Sequence, residues 1–174
     1  MNRIAAFAPL ALLVIIMIAA GFVLMRGGAR ETVSAGDAER LAPAYALTAL
    51  DGGAAISSEA FAGEPYVINF FASWCTPCRA EHPQLMAMQA QGVRIVGVAY
   101  KDRPENAQRF LDQLGDPFEA TALDPDGRFA LELGVAGAVP ETFAIGDDGR
   151  IRAVHRGPLT EAVVREQILP ALAR

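Results

Sequence analysis

Cysteine is scarce in this sequence, and its scarcity excludes two kinds of structural site. The 174 residues contain two cysteines, Cys75 and Cys78, and two histidines, His82 and His155. A structural zinc site normally takes four such ligands, and a disulfide framework in a small secreted domain needs several cysteine pairs. One local pair three positions apart is therefore more typical of redox chemistry than of a scaffold.

Basic residues are also in short supply. The chain has 15 Lys and Arg against 20 Asp and Glu, which gives a formal net charge of −5. Proteins bind nucleic acids by placing clustered Lys and Arg against the phosphate backbone, and no such cluster occurs along this sequence. We therefore expect no nucleic-acid partner, and composition alone names no other partner.

Charge is missing altogether from one N-terminal stretch. Residues 4–25 form an apolar run of about 22 residues, enough for one helix to cross the roughly 30 Å hydrocarbon core of a bilayer. The run is longer than the apolar part of a usual cleavable signal, so we predict an uncleaved membrane anchor over residues 1–26. Removal of the segment as a signal, with Ala35 as a weak cleavage candidate, is the alternative. Arginines flank both ends of the run, so charge does not decide its orientation.

A tether and one folded domain are predicted to follow the anchor. Residues 27–40 contain glycines and several charges, which is typical of a linker with little structure. Residues 41–174 are expected to form the domain. Its predicted strands are residues 66–71, 93–100, 142–145 and 151–154, and its predicted helices begin at Thr76, Pro104, Phe129 and Thr160. The order β-α-β-α, then hairpin, then helix predicts a layered α/β sheet with helices on both faces.

The cysteine pair is predicted to stand at a helix N-terminus. A thiolate attacks a disulfide, and the unpaired N–H groups and positive dipole end of a helix favour that anion. If the helix begins at Thr76, Cys75 is an exposed nucleophile flanked by Trp74, and Cys78 one turn on resolves the mixed disulfide. Haem attachment would need histidine directly after the second cysteine, but that residue is Arg79.

Two other interpretations of the pair stay open. A purely structural disulfide would add little stability, because the loop that it closes is very short. A membrane-anchored copper carrier would use Cys75, Cys78 and His82, since soft thiolates suit Cu(I), although this ligand set is thin. We predict no resident metal and no other cofactor.

Several residues near the pair are further candidates for the site. Glu81 lies three residues after Cys78 on the same helix face and, if buried, could accept that thiol's proton; a solvent-exposed glutamate is the alternative. Pro140 precedes a strand and could hold a cis bond that brings backbone next to the cysteines; an ordinary trans loop proline is the alternative. Glu141 could add a second acid or lie exposed on a loop. His82 is expected on the helix surface.

The residues around the pair resemble the thioredoxin superfamily. The sequence Trp-Cys-Thr-Pro-Cys at residues 74–78, followed by Arg-Ala-Glu-His-Pro at 79–83, carries this resemblance. Three later segments bring the chain closer to the CcmG/DsbE family of cytochrome c biogenesis. They are Gly-Val-Ala-Tyr-Lys-Asp at 97–102, Leu-Glu-Leu-Gly-Val at 131–135 and Pro-Glu-Thr-Phe at 140–143.

The resemblance implies a thioredoxin-like fold, with a central mixed sheet flanked by helices, behind an N-terminal transmembrane helix. It implies a single-pass protein of the bacterial inner membrane whose periplasmic domain reduces the haem-binding cysteines of apocytochrome c, directly or through the maturation machinery. A membrane electron donor of the DsbD/CcdA type would recharge it. The family's catalytic positions correspond to Cys75, Cys78, Glu81 and the cis-proline Pro140, and the surrounding ones to Trp74, Thr76, Pro77 and Glu141.

One loop departs from the family pattern. The family commonly has Gly-Val-Tyr-Gly-(Ala/Val)-Pro-Glu, whereas residues 134–141 are Gly-Val-Ala-Gly-Ala-Val-Pro-Glu. The aromatic residue is missing and one residue is extra. Because this loop is expected to border the active site, the departure concerns the choice of partner more than the chemistry. A general extracytoplasmic thiol reductase is therefore the alternative within the same fold.

Overall fold

The domain is organised by strands whose residues are apolar on both faces. In the computed structural model, which describes Met17 and residues 39–173, the central sheet has five strands, and a separate two-stranded hairpin precedes it. The strands in chain order are β1 Ala46–Leu47, β2 Ile56–Ser57, β3 Tyr66–Phe71, β4 Ile95–Tyr100, β5 Ala120–Asp124, β6 Glu141–Ile145 and β7 Ile151–Arg156.

Helices cover the sheet on both sides. Helix α1 is Thr76–Ala90, α2 is Pro104–Leu114 and α3 is Arg128–Leu133. The C-terminal helix α4 consists of Glu161–Val163, a π-helical turn Val164–Ile168 and Leu169–Leu172. Proline stands in the first turn of α1 and of α2, where its missing N–H would have no partner in any case.

The strand order places β3 at the centre of the sheet. The order is β5-β4-β3-β6-β7; β4 runs parallel to β3 and β5, whereas β6 runs antiparallel to β3 and β7. All six residues of β3 and all six of β4 are buried, as expected for strands covered on both faces.

Alternating side chains divide the core between the two faces. On one face, β3 packs against α1, α2 and α4 through Val67, Asn69 and Phe71. On the other face, it packs against α3 and the segments that precede β3, through Tyr66, Ile68 and Phe70. Side chains on opposite faces are separated by the sheet, so buried residues near the cysteines can contact each other only if they lie on the same face.

Backbone pairing brings the candidate residues to one end of the sheet. The carboxyl ends of the parallel strands β3 and β4 adjoin, with Phe71 opposite Ala99. Strand β6 is antiparallel to β3 and begins at the same end, where Glu141 is opposite Phe70. The start of α1, the residues after β4 and the loop before β6 therefore meet there.

The sequence-based predictions match most of these elements but miss β5 of the central sheet and the two short strands β1 and β2. The predicted bounds of β3 and α2 agree with the structure, and helices lie on both faces as expected. The predicted order lacked β5, which is a third parallel strand and forms the edge next to β4. Its sequence, Ala-Thr-Ala-Leu-Asp, is short and weakly apolar, and backbone bonds to Thr48 and Leu50 support it from outside.

The anchor prediction concerns residues that the structure does not describe. Apart from Met17, the predicted anchor over residues 1–26 lies outside the described residues, as does the predicted linker up to residue 38. Among the described residues, no helix is both long enough and apolar enough to cross a bilayer.

Candidate active site

The two cysteines form a disulfide at the start of α1. Cys75 is the N-cap residue of this helix, and Thr76 and Pro77 form its first turn, as predicted. The sulfur atoms are 2.02 Å apart, and the Cys78 backbone N–H donates to Cys75 Sγ at 3.1 Å. An N–H group aimed at this sulfur, together with the helix dipole, favours a thiolate at Cys75 once the disulfide is reduced.

The prediction of an exposed Cys75 sulfur is wrong for this disulfide form. Cys75 is 3% exposed and Cys78 is 1% exposed. The carbonyl oxygen of Val139 lies 3.4 Å from Cys75 Sγ, so the loop before β6 covers the sulfur. A disulfide sulfur carries no proton, so this is a contact here, whereas a Cys75 thiol could donate to the same oxygen.

A rim of exposed residues surrounds the covered sulfur. Trp74 is 59% exposed, and Thr76 and Pro77 are also exposed. A reacting partner therefore meets this rim before it reaches Cys75. Of the four residues that the sequence assigned to the surround of the site, Trp74, Thr76 and Pro77 are exposed here, whereas Glu141 is buried.

The loop before Cys75 is held by the residues that follow β4. The Ser73 N–H donates to Asp102 Oδ2 at 2.5 Å, and the indole N–H of Trp74 donates to the Lys101 carbonyl oxygen at 3.3 Å. Asp102 is buried and also accepts from the Arg103 N–H at 2.8 Å. Sequence reasoning did not single out Asp102 as a site residue, although its place two residues after β4, a strand parallel to β3, could have indicated this role.

Glu81 is completely buried beneath the start of α1. Its exposed fraction is 0%, so the alternative of a solvent-exposed glutamate is wrong. Oε1 accepts from Asn69 Nδ2 at 2.8 Å, and Oε2 accepts from the Leu159 N–H at 2.8 Å. Burial raises the pKa of Glu81 from its ordinary value of 4.5 to about 7, although these two hydrogen bonds oppose the rise.

Pro140 and Glu141 shape the loop that covers the disulfide. The Val139–Pro140 peptide bond is cis, and it is Val139 whose carbonyl contacts Cys75 Sγ. The Glu141 carboxylate is buried, accepts from the Ala136 N–H at 2.7 Å and forms an ion pair with Arg156, with Oε2 3.4 Å from Nε. The alternative of an exposed loop residue is therefore wrong for Glu141.

The two acids near the pair lie on opposite faces of the sheet. Glu141 is opposite Phe70, whose side chain packs on the α3 face, whereas Glu81 bonds Asn69 on the α1 face. Glu81 thus lies on the helix of the cysteines, whereas Glu141 is the first residue of β6 and accepts a hydrogen bond from Ala136 in the loop that covers Cys75.

The expectation that His82 lies on the helix surface is wrong. His82 is buried, its Nε2 lies 2.9 Å from the Gly115 carbonyl oxygen, and its ring meets the edge of Phe110 with centroids 5.4 Å apart. Burial lowers the pKa of His82, so the neutral ring donates its Nε2 proton to Gly115. This contact joins α1 to the residue that follows α2. It also occupies Nε2 of His82, which was the third ligand in the copper-carrier interpretation.

A cysteine pair with these surroundings is suited to thiol–disulfide exchange rather than to structural support. The short loop it closes adds little to stability, while the start of α1 and the loop before β6 both place polar backbone groups against Cys75 Sγ. The protein is therefore a thiol–disulfide oxidoreductase with a thioredoxin-like α/β fold.

The chain belongs to the Redoxin family, whose family model matches residues 35–168. It is 40% identical over 157 residues to the thiol:disulfide interchange protein HelX of Rhodobacter capsulatus, a match that covers 90% of this chain and 89% of HelX. It is 46% identical over 108 residues to the thiol:disulfide interchange protein DsbE of Escherichia coli, a match that covers 62% of this chain and 58% of DsbE.

A solved structure agrees with these relatives. A crystal structure of a thiol:disulfide interchange protein DsbE from Chlorobium tepidum has a TM-score of 0.69 and 33% identity, and covers 78% of this chain and 98% of that one. The family resemblance and the thioredoxin-like fold predicted from the motifs are thus confirmed.

Proposed function

We propose that this protein reduces disulfides in cytochrome c maturation, with the haem-binding cysteines of apocytochrome c as its substrate, directly or through the maturation machinery. The observation that carries the proposal is Cys75 at the N-terminus of α1, with the Cys78 N–H donating to its sulfur. The sequence around the pair resembles the family dedicated to that pathway, and relatives named HelX and DsbE are thiol:disulfide interchange proteins.

The exchange passes two electrons from the protein to the substrate. In the reduced protein, the Cys75 thiolate attacks one sulfur of the substrate disulfide; a bond forms between them, and the other substrate sulfur leaves as a thiolate. The Cys78 thiolate then attacks Cys75 Sγ, which closes the protein disulfide and releases the second substrate sulfur. A membrane carrier of the DsbD/CcdA type returns two electrons and restores the dithiol.

Glu81 is proposed to take the proton of Cys78 in the second step. Cys78 is 1% exposed, so bulk water has little access to its thiol, and Glu81 lies one turn further along the same helix face. A carboxyl with a pKa of about 7 is suited to accept and return a proton near neutral pH. Asn69 Oδ1 is buried without a hydrogen-bond partner among the described residues, so a turned amide offers an acceptor to protonated Glu81.

The remaining site residues are proposed to position the substrate. Trp74, Thr76 and Pro77 form the exposed rim that a polypeptide meets first. Pro140 holds the Val139 carbonyl against the sulfur, and this covering loop must yield to an incoming chain. The substrate is therefore expected to be a flexible segment, such as an unfolded apocytochrome, rather than a rigid surface.

The proposal includes the membrane arrangement predicted from the sequence. Residues 1–26 anchor the protein in the bacterial inner membrane, residues 27–40 form the tether, and residues 41–174 act on the periplasmic side. The apolar run and the family resemblance support this arrangement. A reporter enzyme that is active only outside the cytoplasm, fused after the C-terminus, should be active; an inactive fusion would place the domain inside.

Deletion of the gene tests the substrate assignment. We expect the deletion to remove holocytochrome c and added small thiols to restore it, because they reduce the same cysteines. A Cys78→Ser variant should accumulate apocytochrome c as a mixed disulfide, and the matched Cys75→Ser variant should not. Normal cytochrome levels in the deletion strain would count against the assignment, and capture of many unrelated proteins would favour the general reductase.

A further inference from the structure

A small hollow lined by hydrogen-bond donors lies beside the disulfide loop. Its volume is about 160 Å³, and its lining residues are Ser73, Arg79, Asn106, Arg109, Phe110 and Gln113. Each polar side chain in this set can donate hydrogen bonds, two of them are always positively charged, and no carboxylate lines the hollow. The hollow therefore favours an anionic group.

Arg79 is the charged group nearest to the cysteines in the sequence. It follows Cys78 directly, is exposed, and places its guanidinium carbon 5.0 Å from the centroid of the Phe110 ring. Among the described residues, Arg79 has neither an ion pair nor a side-chain hydrogen bond. Since a planar guanidinium presents five donors, it can bind a carboxylate with two parallel hydrogen bonds.

Arg109 also lines the hollow and is held in place by two hydrogen bonds. Its Nε donates to the Glu105 carbonyl oxygen at 3.2 Å, and one terminal nitrogen donates to Asn106 Oδ1 at 2.5 Å. These bonds use neutral acceptors, so the charge of Arg109 is not neutralised by an ion pair in the described part of the chain. By contrast, Arg94 pairs with both Glu64 and Glu119.

We propose that this hollow binds the carboxylate of an acidic side chain in the polypeptide whose disulfide Cys75 reduces, an inference that rests on the proposed function. Arg79 is four residues after Cys75, about 6 Å along the helix axis. An extended chain rises about 3.3 Å per residue, so it covers that distance in about two residues. Substrates with Asp or Glu about two residues from the attacked cysteine are therefore preferred.

Peptide disulfides that differ at one position test this preference. Three otherwise identical peptides carry Glu, Gln or Lys two residues from the attacked cysteine, and the reduced full-length protein is assayed for kcat/KM with each. We expect the Glu peptide to react about 1.4-fold to 5-fold faster than the Gln peptide, the range of a solvent-exposed ion pair. The Lys peptide should be slowest, and high salt should reduce the differences because it screens exposed charges.

Charge reversal should invert the order of the peptides. In a double variant with Arg79→Glu and Arg109→Glu, the Glu:Gln ratio should fall below one, whereas Lys replacements at both positions should keep it above one. The ratio is the readout, because a changed reactivity of Cys75 affects all three peptides alike. The matched control is Arg165→Glu, an exposed charge reversal on α4 that should leave the ratio unchanged.

The possible outcomes separate this inference from the proposed function. Equal rates for the three peptides with the unmodified protein would overturn the acidic preference and leave the exchange chemistry intact. A preference that survives charge reversal would place its origin elsewhere and would also overturn the inference. Failure to reduce any peptide would instead contradict the proposed function.

Discussion

Replacement of Glu81 by Gln should change how the stability of the protein depends on pH. The glutamine keeps the shape of the side chain and can still accept a hydrogen bond from the Leu159 N–H, but it cannot ionise. Asn69 Nδ2 faces this position in the structure, so the Asn69 amide must turn for its Oδ1 to accept from the glutamine amide; Oδ1 has no hydrogen-bond partner among the described residues. The substitution therefore removes the buried charge without leaving the Leu159 N–H unpaired.

The size of the effect follows from the pKa of Glu81. Burial raises this pKa to about 7 in the folded protein, while the unfolded chain keeps the ordinary value of 4.5. Between these pH values, the folded protein holds a proton that the unfolded chain has lost, so the stability contributed by Glu81 falls as pH rises. At 1.36 kcal/mol per pKa unit, the loss amounts to about 3 kcal/mol and is complete above pH 7.

Urea unfolding of the oxidised protein at several pH values would measure this contribution. Relative to the unmodified protein, Glu81→Gln should become more stable by about 3 kcal/mol between pH 4.5 and pH 8, with most of the change between pH 5 and pH 7. The difference between the two proteins is the useful quantity, because other titrating groups contribute equally to both. A difference that stays constant across this range would refute a raised pKa for Glu81.

Two further substitutions test the packing around the site. Asp102→Ala should lower the free energy of unfolding by about 2 kcal/mol, because the Ser73 and Arg103 N–H groups lose a charged acceptor. It should also slow disulfide reduction by loosening the loop before the cysteines. An unchanged unfolding midpoint would contradict the expected loss of stability. Gly97→Ala should lower the free energy of unfolding by about 1–3 kcal/mol, because the added Cβ would lie 2.5 Å from the Phe118 ring. An unchanged thermal unfolding midpoint would contradict this and would mean that the ring can move aside.

The elements best predicted from the sequence are those with local signals. Strand β3 is a continuous apolar run, and α2 has Pro104 in its first turn and Gly115 at its end, so their bounds follow from the sequence. Strand β5 has no comparable signal. It exists because β4 pairs with it on one side and the segment around Thr48 pairs with it on the other, which are contacts between residues distant in the chain.

The same distinction applies to the candidate site. The spacing of Cys78 and Glu81 is local to one helix, so the sequence alone predicts that these two side chains share a face. The approach of the loop before β6 to the cysteines is expected only from the family resemblance, because 64 residues separate Val139 from Cys75 and no local pattern links them. The prediction for His82 was wrong because polarity suggested the surface, whereas the Gly115 carbonyl offers a partner inside.

The measurement that bears most directly on the chemistry is the identity of the sulfur that reacts first. The fully reduced protein is treated with limiting iodoacetamide near pH 7, and the labelled position is read by fragmentation of the tryptic peptide that ends at Arg79. Label should be found on Cys75 and should form with an apparent pKa well below the ordinary thiol value of about 8.5. Label chiefly on Cys78, or equal labelling at the rate of an ordinary thiol, would contradict Cys75 as the nucleophile.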